Sequence, residues 1–166
     1  MKILIFILFP ILCFGQKQKT YNEVDQLMSM GRWVNDQKKG IWKYYHENGQ
    51  IESKGRYVKG VRKGMWKEYY ENGQLVYKGK YLNGHKEGKY KEYHENGQLM
   101  EVGNFHKGAK TGECKYYDEN GDKYCIGQYI DGLEGGEWRW YDSDGKLFQI
   151  DEFENGKRIS YKKVTR

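Results

Sequence analysis

The residues of this chain that could do chemistry are few: two histidines in equivalent positions, one short acidic run, two cysteines beyond the first fifteen residues and a regular column of lysines. His46 and His94 stand 48 residues apart in the same phase of a repeating pattern. If every repeat adds two strands, four strands of about 4.8 Å separate them, roughly 19 Å, which is too far to share a metal ion. Tyr70, Asp118 and Asp142 fill the same position elsewhere, as expected of a polar site beside a turn. Asp142-Ser143-Asp144-Gly145 has the opening of a calcium loop but not its remaining ligands or distal glutamate, so a hairpin turn accounts for it better. No phosphate-binding Gly-rich loop ending in Gly-Lys-Ser/Thr, no His-Glu-x-x-His and no Gly-x-Ser-x-Gly is present. A non-catalytic protein without a cofactor is expected. What remains is a surface chemistry of cations and rings. Lys43, Lys67, Lys91, Lys115 and Arg139 form a basic ladder at one charge per two strands, about 10 Å, suited either to a regularly spaced anion or to keeping an open sheet face soluble.

The elements that would position these residues follow from a 24-residue period. Asn72-Gly73 recurs as Asn48-Gly49, Asn96-Gly97, Asn120-Gly121 and, altered, Asp144-Gly145; Gly64 recurs at 40, 88, 112 and 136, and Gly79 at 31, 55, 103 and 127. A fixed period of this length marks a repeat architecture. Asn-Gly between runs rich in Tyr, Trp and Val predicts a two-residue hairpin turn, and glycine-bracketed segments such as Gly60–Gly64 predict the alternate turn. The expected fold is all-β: an elongated single-layer antiparallel β-meander of 24-residue hairpin repeats. Strands are expected near 41–46, 51–58, 65–70, 75–82, 89–94, 99–106, 113–118, 123–130, 137–142 and 147–154, with partial strands at each end.

A two-residue turn at Asn72-Gly73 sets Trp66 opposite Gly79, Tyr69 opposite Val76 and Tyr70 opposite Leu75. Trp66, Tyr70, Leu75, Tyr77 and Tyr81 then share one face, and Lys67, Tyr69, Val76, Lys78 and Lys80 the other. The column Trp42, Trp66, Tyr90, Cys114 and Trp138 is expected to lie over the glycines 55, 79, 103 and 127. With no second layer, the face carrying Trp42, Trp66, Tyr77, Tyr81, Tyr90, Phe105, Tyr129 and Trp138 must be covered by curling of the sheet, by another copy or by a ligand, and it is the expected binding face. The same turn places Cys114 opposite Gly127 and Cys125 opposite Tyr116, a diagonal arrangement that predicts free thiols.

Composition agrees with a thin structure: of 166 residues only 37% are apolar and 31% are charged, with 22 Gly and 16 Tyr. Residues 1–15, with a basic start, an apolar run from Ile3 to Leu12 and Cys13-Phe14-Gly15 before Gln16, read as a secretory signal peptide cleaved near Gly15. An exported protein, periplasmic, surface-bound or extracellular, is expected. Residues 16–30 form a polar lead-in, and 31–166 the repeat array. From Lys17 to Tyr90 there are 16 Lys and Arg against 8 Asp and Glu; from Lys91 to Arg166 there are 12 against 15. A basic end therefore precedes an acidic one, and nucleic acid is not expected as a partner.

Tyr77-x-Gly79-x-Tyr81-x-x-Gly84-x-x-x-Gly88 resembles the MORN (membrane occupation and recognition nexus) repeat, and the Tyr-Tyr-Glu-Asn-Gly-Gln-Leu phrase at 69–75 resembles its bacterial, YwqK-like antitoxin variant. The resemblance runs from Gly31 to about Gly156. It implies an array of β-hairpins that binds proteins or lipids and, for the bacterial variant, an antitoxin or immunity role; it carries no catalytic residues. Two kinds of partner are expected from the sequence: a protein segment held by the scaffold, or an envelope polysaccharide or anionic lipid surface met by rings and lysines together.

Overall fold

The structure, a computed structural model, describes residues 16–165. Glycines and asparagines able to adopt positive φ recur every dozen residues or so, and between them β-branched and aromatic residues favour extended backbone. The result is thirteen strands: β1 (Lys17–Tyr21), β2 (Leu27–Val34), β3 (Gln37–Tyr45), β4 (Ile51–Val58), β5 (Val61–Tyr69), β6 (Leu75–Leu82), β7 (His85–Tyr93), β8 (Leu99–His106), β9 (Ala109–Tyr117), β10 (Lys123–Ile130), β11 (Leu133–Tyr141), β12 (Leu147–Glu154) and β13 (Lys157–Lys163). They form one antiparallel sheet in chain order. The all-β single-sheet expectation holds. The signal-peptide reading of residues 1–15 lies outside the described residues. Residues 16–30, set apart above as a lead-in, include β1 and the first half of β2 of the same sheet.

The two kinds of turn are exchanged relative to the sequence reading. The two-residue reversals are Asn35-Asp36, Lys59-Gly60, Asn83-Gly84, Lys107-Gly108, Asp131-Gly132 and Asn155-Gly156, with both residues of each pair at positive φ. At Asn72-Gly73 only the glycine is left-handed, at φ 85°. There Gly73 N–H donates to the Tyr70 carbonyl at 2.9 Å and Tyr70 N–H to the Gln74 carbonyl at 2.8 Å, enclosing a three-residue loop. This loop slips the register by one: Glu68 pairs Tyr77 as expected, but Tyr69 pairs Leu75, not Val76. The bracketing glycine Gly64, at φ 77°, is therefore no turn but a bulge inside β5, so the strands expected from residues 41, 65, 89, 113 and 137 each begin four residues earlier.

That bulge places the core. Between the pairs Arg56–Lys63 and Lys54–Lys67, Gly55 alone faces Gly64, Met65 and Trp66. Two extra residues preserve the alternation of faces, so the Trp66 indole swings back over Gly55, and its Nε1 donates to the Arg56 carbonyl at 3.3 Å. A methyl group at Gly55 would overlap the indole; Gly31 under Trp42 and Gly127 under Trp138 repeat the arrangement. This corrects the expected glycine column. Trp66 is paired with Gly79 in register but covers the glycine on its other side. The rings then interlock edge to face along the sheet, with Tyr57–Trp66 centroids at 5.2 Å and Trp66–Tyr81 at 6.0 Å.

Candidate functional site

The aromatic column is closed. Trp42, Trp66, Tyr77, Tyr81, Tyr90, Phe105 and Trp138 are buried, Trp66 completely, and Tyr129 is partly buried with its hydroxyl 2.9 Å from that of Tyr116. The cover is supplied by the chain itself, through a second basic column absent from the sequence reading. Lys38 lies 4.5 Å from the Trp42 ring centroid, Arg62 4.2 Å from Trp66 and Lys86 4.1 Å from Tyr77. Lys110 comes next at 5.7 Å from Tyr90. Each projects from the second residue of its strand and lays its charged group against the ring faces. The aromatic residues expected to stack on a ligand are thus the hydrophobic core, because packing against one another and capping by the basic side chains remove the surface a ligand would need.

Within this core sits a closed polar cluster. Glu101 accepts hydrogen bonds from Tyr90 Oη, Lys110 Nζ and Cys114 Sγ. Burial pushes the Glu101 carboxyl up, but these three donors outweigh it and hold the group below the usual carboxylate range. Burial raises the Cys114 thiol to about 11 and that of Cys125 to about 12, so both stay protonated at neutral pH. The two thiols are free, and Cys114 pairs Gly127 and Cys125 pairs Tyr116 as the sequence suggested.

The turn positions also act structurally. His46 Nε2 lies 2.7 Å from the Tyr69 carbonyl, His94 Nε2 2.7 Å from that of Tyr117, and Tyr70 Oη donates to Tyr93 at 2.8 Å. Each pins one hairpin to the next. Asn72 does the same with Nδ2 to the Glu95 carbonyl at 3.0 Å, while its Oδ1 accepts from Gln74 N–H at 2.8 Å.

The open face is the other one, where the basic ladder stands. Lys43, Lys67 and Lys91 are joined by lysines of the intervening strands: the register pairs Lys43 with Lys54, Lys54 with Lys67, Lys67 with Lys78 and Lys78 with Lys91. Five successive strands, β3 to β7, therefore carry a lysine on one line, a charge every ~4.8 Å instead of every ~10 Å. Among the described residues none of the five lies in an ion pair. The ladder changes character beyond β7. Val102 and Ile126 take the intervening places, Lys115 is 3.1 Å from Glu113, and Arg139 is 2.5 Å from Glu137. Beside the row runs a half-buried line of tyrosines, Tyr45, Tyr69, Tyr93, Tyr117 and Tyr141, each two residues after a ladder position. Lys54 Nζ is 5.1 Å from the Tyr69 ring. Lys54 and Lys78 were missing from the sequence ladder because they belong to the other strand of each hairpin; the Lys67–Lys78 pairing implicit in the turn was the signal that could have found them.

The arrangement offers cations and ring faces in two parallel lines. Among the described residues no helix is long and apolar enough to cross a membrane. No curated protein matches the chain. A crystal structure of the GtfA/B complex bound to UDP and GlcNAc holds a chain similar at 12% identity and a TM-score of 0.28, over 90% of this chain and 26% of that one, a likeness too weak to carry an argument. This chain spans about a quarter of that chain's length. The family model described as MORN repeat variant matches residues 38–59, 62–83, 86–107, 110–131 and 134–155, each match ending in a tight turn and the first four beginning at a ring-capping residue. With five matches in phase with five hairpins, the protein belongs to the MORN repeat variant family.

Proposed function

We propose that the protein is a non-catalytic binding scaffold whose ligand-bearing surface is the open lysine and tyrosine face of β3 to β7, and that its partner is anionic. The observation that supports this reading is the unbroken five-lysine row. Like charges placed directly opposite one another destabilise a sheet by some tenths of a kcal/mol per pair, and solubility alone is served equally well by mixed signs. The C-terminal half of the same face does use mixed signs, with Glu113 and Glu137 beside Lys115 and Arg139. A row left uncompensated in one half and compensated in the other marks the first as a contact surface. The pattern of residues 1–15 supports action outside the cytoplasm, where anionic envelope components are in reach. An antitoxin or immunity role is the form this reading takes if the partner is an acidic protein.

Sedimentation with isolated bacterial cell envelopes tests the reading. The protein is expected in the pellet at low salt and in the supernatant at high salt. Lys54→Glu/Lys67→Glu/Lys78→Glu should abolish pelleting, whereas Lys146→Glu/Lys157→Glu/Lys163→Glu, with the same change in net charge off the row, should not. Equal behaviour of the two triple variants would refute it.

A further inference from the structure

We infer that the ligand of this face is a linear acidic polysaccharide, one anionic group per sugar, lying across the strands along the lysine row; this rests on the scaffold reading above. Three observations choose among anionic partners. The first is spacing. Lys43, Lys54, Lys67, Lys78 and Lys91 succeed one another by hydrogen-bonded register, so the ammonium groups advance by ~4.8 Å per strand, and four steps span about 19 Å. A chain of pyranose units advances by nearly the same distance per sugar, so a chain with one carboxylate or phosphate per unit, its units turned so that these groups face the sheet, stays in phase with the row. Acidic side chains on one side of an extended peptide recur at about 6.7 Å, two residues of ~3.3 to 3.4 Å each, and drift out of phase by the third charge.

The second consideration is the twist that β-sheets take in general. Neighbouring strands ordinarily rotate by roughly 20 to 25°, which over four steps turns the first and fifth positions of such a row from each other by about 80 to 100°. A flexible one-dimensional polymer can follow that turn, whereas a flat bilayer surface meets only part of it. The third is the tyrosine line. Tyr45, Tyr69 and Tyr93 stand two residues beyond Lys43, Lys67 and Lys91 on the same face, at every second strand, half-buried and so fixed in place. Ring faces about 10 Å apart beside a line of cations suit alternate sugars of a polymer whose charges sit on the lysines. A bare polyphosphate would make no use of them.

The test is calorimetric titration of the protein with oligogalacturonates of two to eight units, alongside polyglutamate of matched charge and phosphatidylglycerol vesicles. Affinity for the oligogalacturonates should climb with length to about five units and then level off. The logarithm of the binding constant should fall against the logarithm of salt with a slope near −3.5, about 0.7 per contact for five contacts. Lys54→Gln/Lys78→Gln, which keeps the stems and removes two charges, should weaken binding at least tenfold. Tyr69→Ala/Tyr93→Ala should weaken oligogalacturonate binding several-fold and leave any polyglutamate binding unchanged. Circular dichroism establishes that each variant keeps its sheet, and Tyr69→Phe, which keeps the ring, should bind as the parent does. Polyglutamate or vesicles binding as tightly as the five-unit sugar, or affinity independent of length or of the tyrosines, overturns the inference. If oligogalacturonates fail while envelope sedimentation still depends on the lysine row, the ligand class is wrong and the scaffold reading stands; if both fail, both fall.

Discussion

At the scale of single residues, the glycines divide into two kinds that one alphabet letter hides. Gly55 has ordinary backbone but lies beneath the Trp66 indole, while Gly64 is left-handed with open space where a side chain would stand. Gly55→Ala should therefore expel or tilt a ring that is fully buried, costing about 2 to 4 kcal/mol in urea unfolding. Gly64→Ala should cost only the strain of a left-handed alanine, about 1 kcal/mol. Equal losses would mean that the indole does not rest on Gly55. Glu101 provides a second test. Its carboxyl is held below its ordinary value, so it adds stability above the unfolded pKa near 4.3, and that contribution is lost as pH falls through the lower folded value. Lys110, which burial pushes down but its bond to Glu101 holds above its ordinary value, adds stability that is present at neutral pH and is lost as pH rises through that raised value. Glu92 works the other way, since burial raises its carboxyl and its ionised form costs stability at neutral pH. Glu101→Gln should lower stability at pH 7 by about 2 to 3 kcal/mol, at the weak end for a broken buried pair because Lys110 keeps some solvent contact. Thermal melts from pH 3 to 7 should show a shallower acid slope in the variant; an unchanged slope would remove Glu101 from the account.

At the scale of elements, the legible part was the strand following each Asn-Gly, whose ends match the expectation in all five repeats. The preceding strand was read four residues short, because a glycine at positive φ can end a strand or bulge it, and only pairing with the neighbouring strand decides which. The lysine row is a consequence of that pairing and makes a prediction here. Five ammonium groups in consecutive strands repel, so screening should stabilise the sheet even as it weakens attraction to an anion. Between about 50 and 500 mM salt the melting temperature should rise while polyanion binding falls. Lys67→Glu, flanked by Lys54 and Lys78, should stabilise the protein by roughly 0.5 to 1 kcal/mol and weaken ligand binding. A variant that loses stability together with binding would show that the row serves the fold.

At the scale of the molecule, each hairpin touches only its neighbours, so the sheet grows by addition and needs no second layer. The expected question of what covers the aromatic side has an internal answer: Lys38, Arg62, Lys86 and Lys110 lie over the rings. The binding surface consequently moves to the opposite face, and the charge asymmetry of the chain becomes a row of bare lysines at one end and paired ones at the other. The period, the strands that alternate with turns, the composition of the two faces and the pairing of Cys114 with Gly127 were all determined by the sequence, because a repeat of even length writes local preference and face alternation directly into residue spacing. Which face is closed, which glycine each indole covers and which lysines become neighbours were decided only by the tertiary structure, because each depends on a two-residue bulge that appears when one strand is laid against the next.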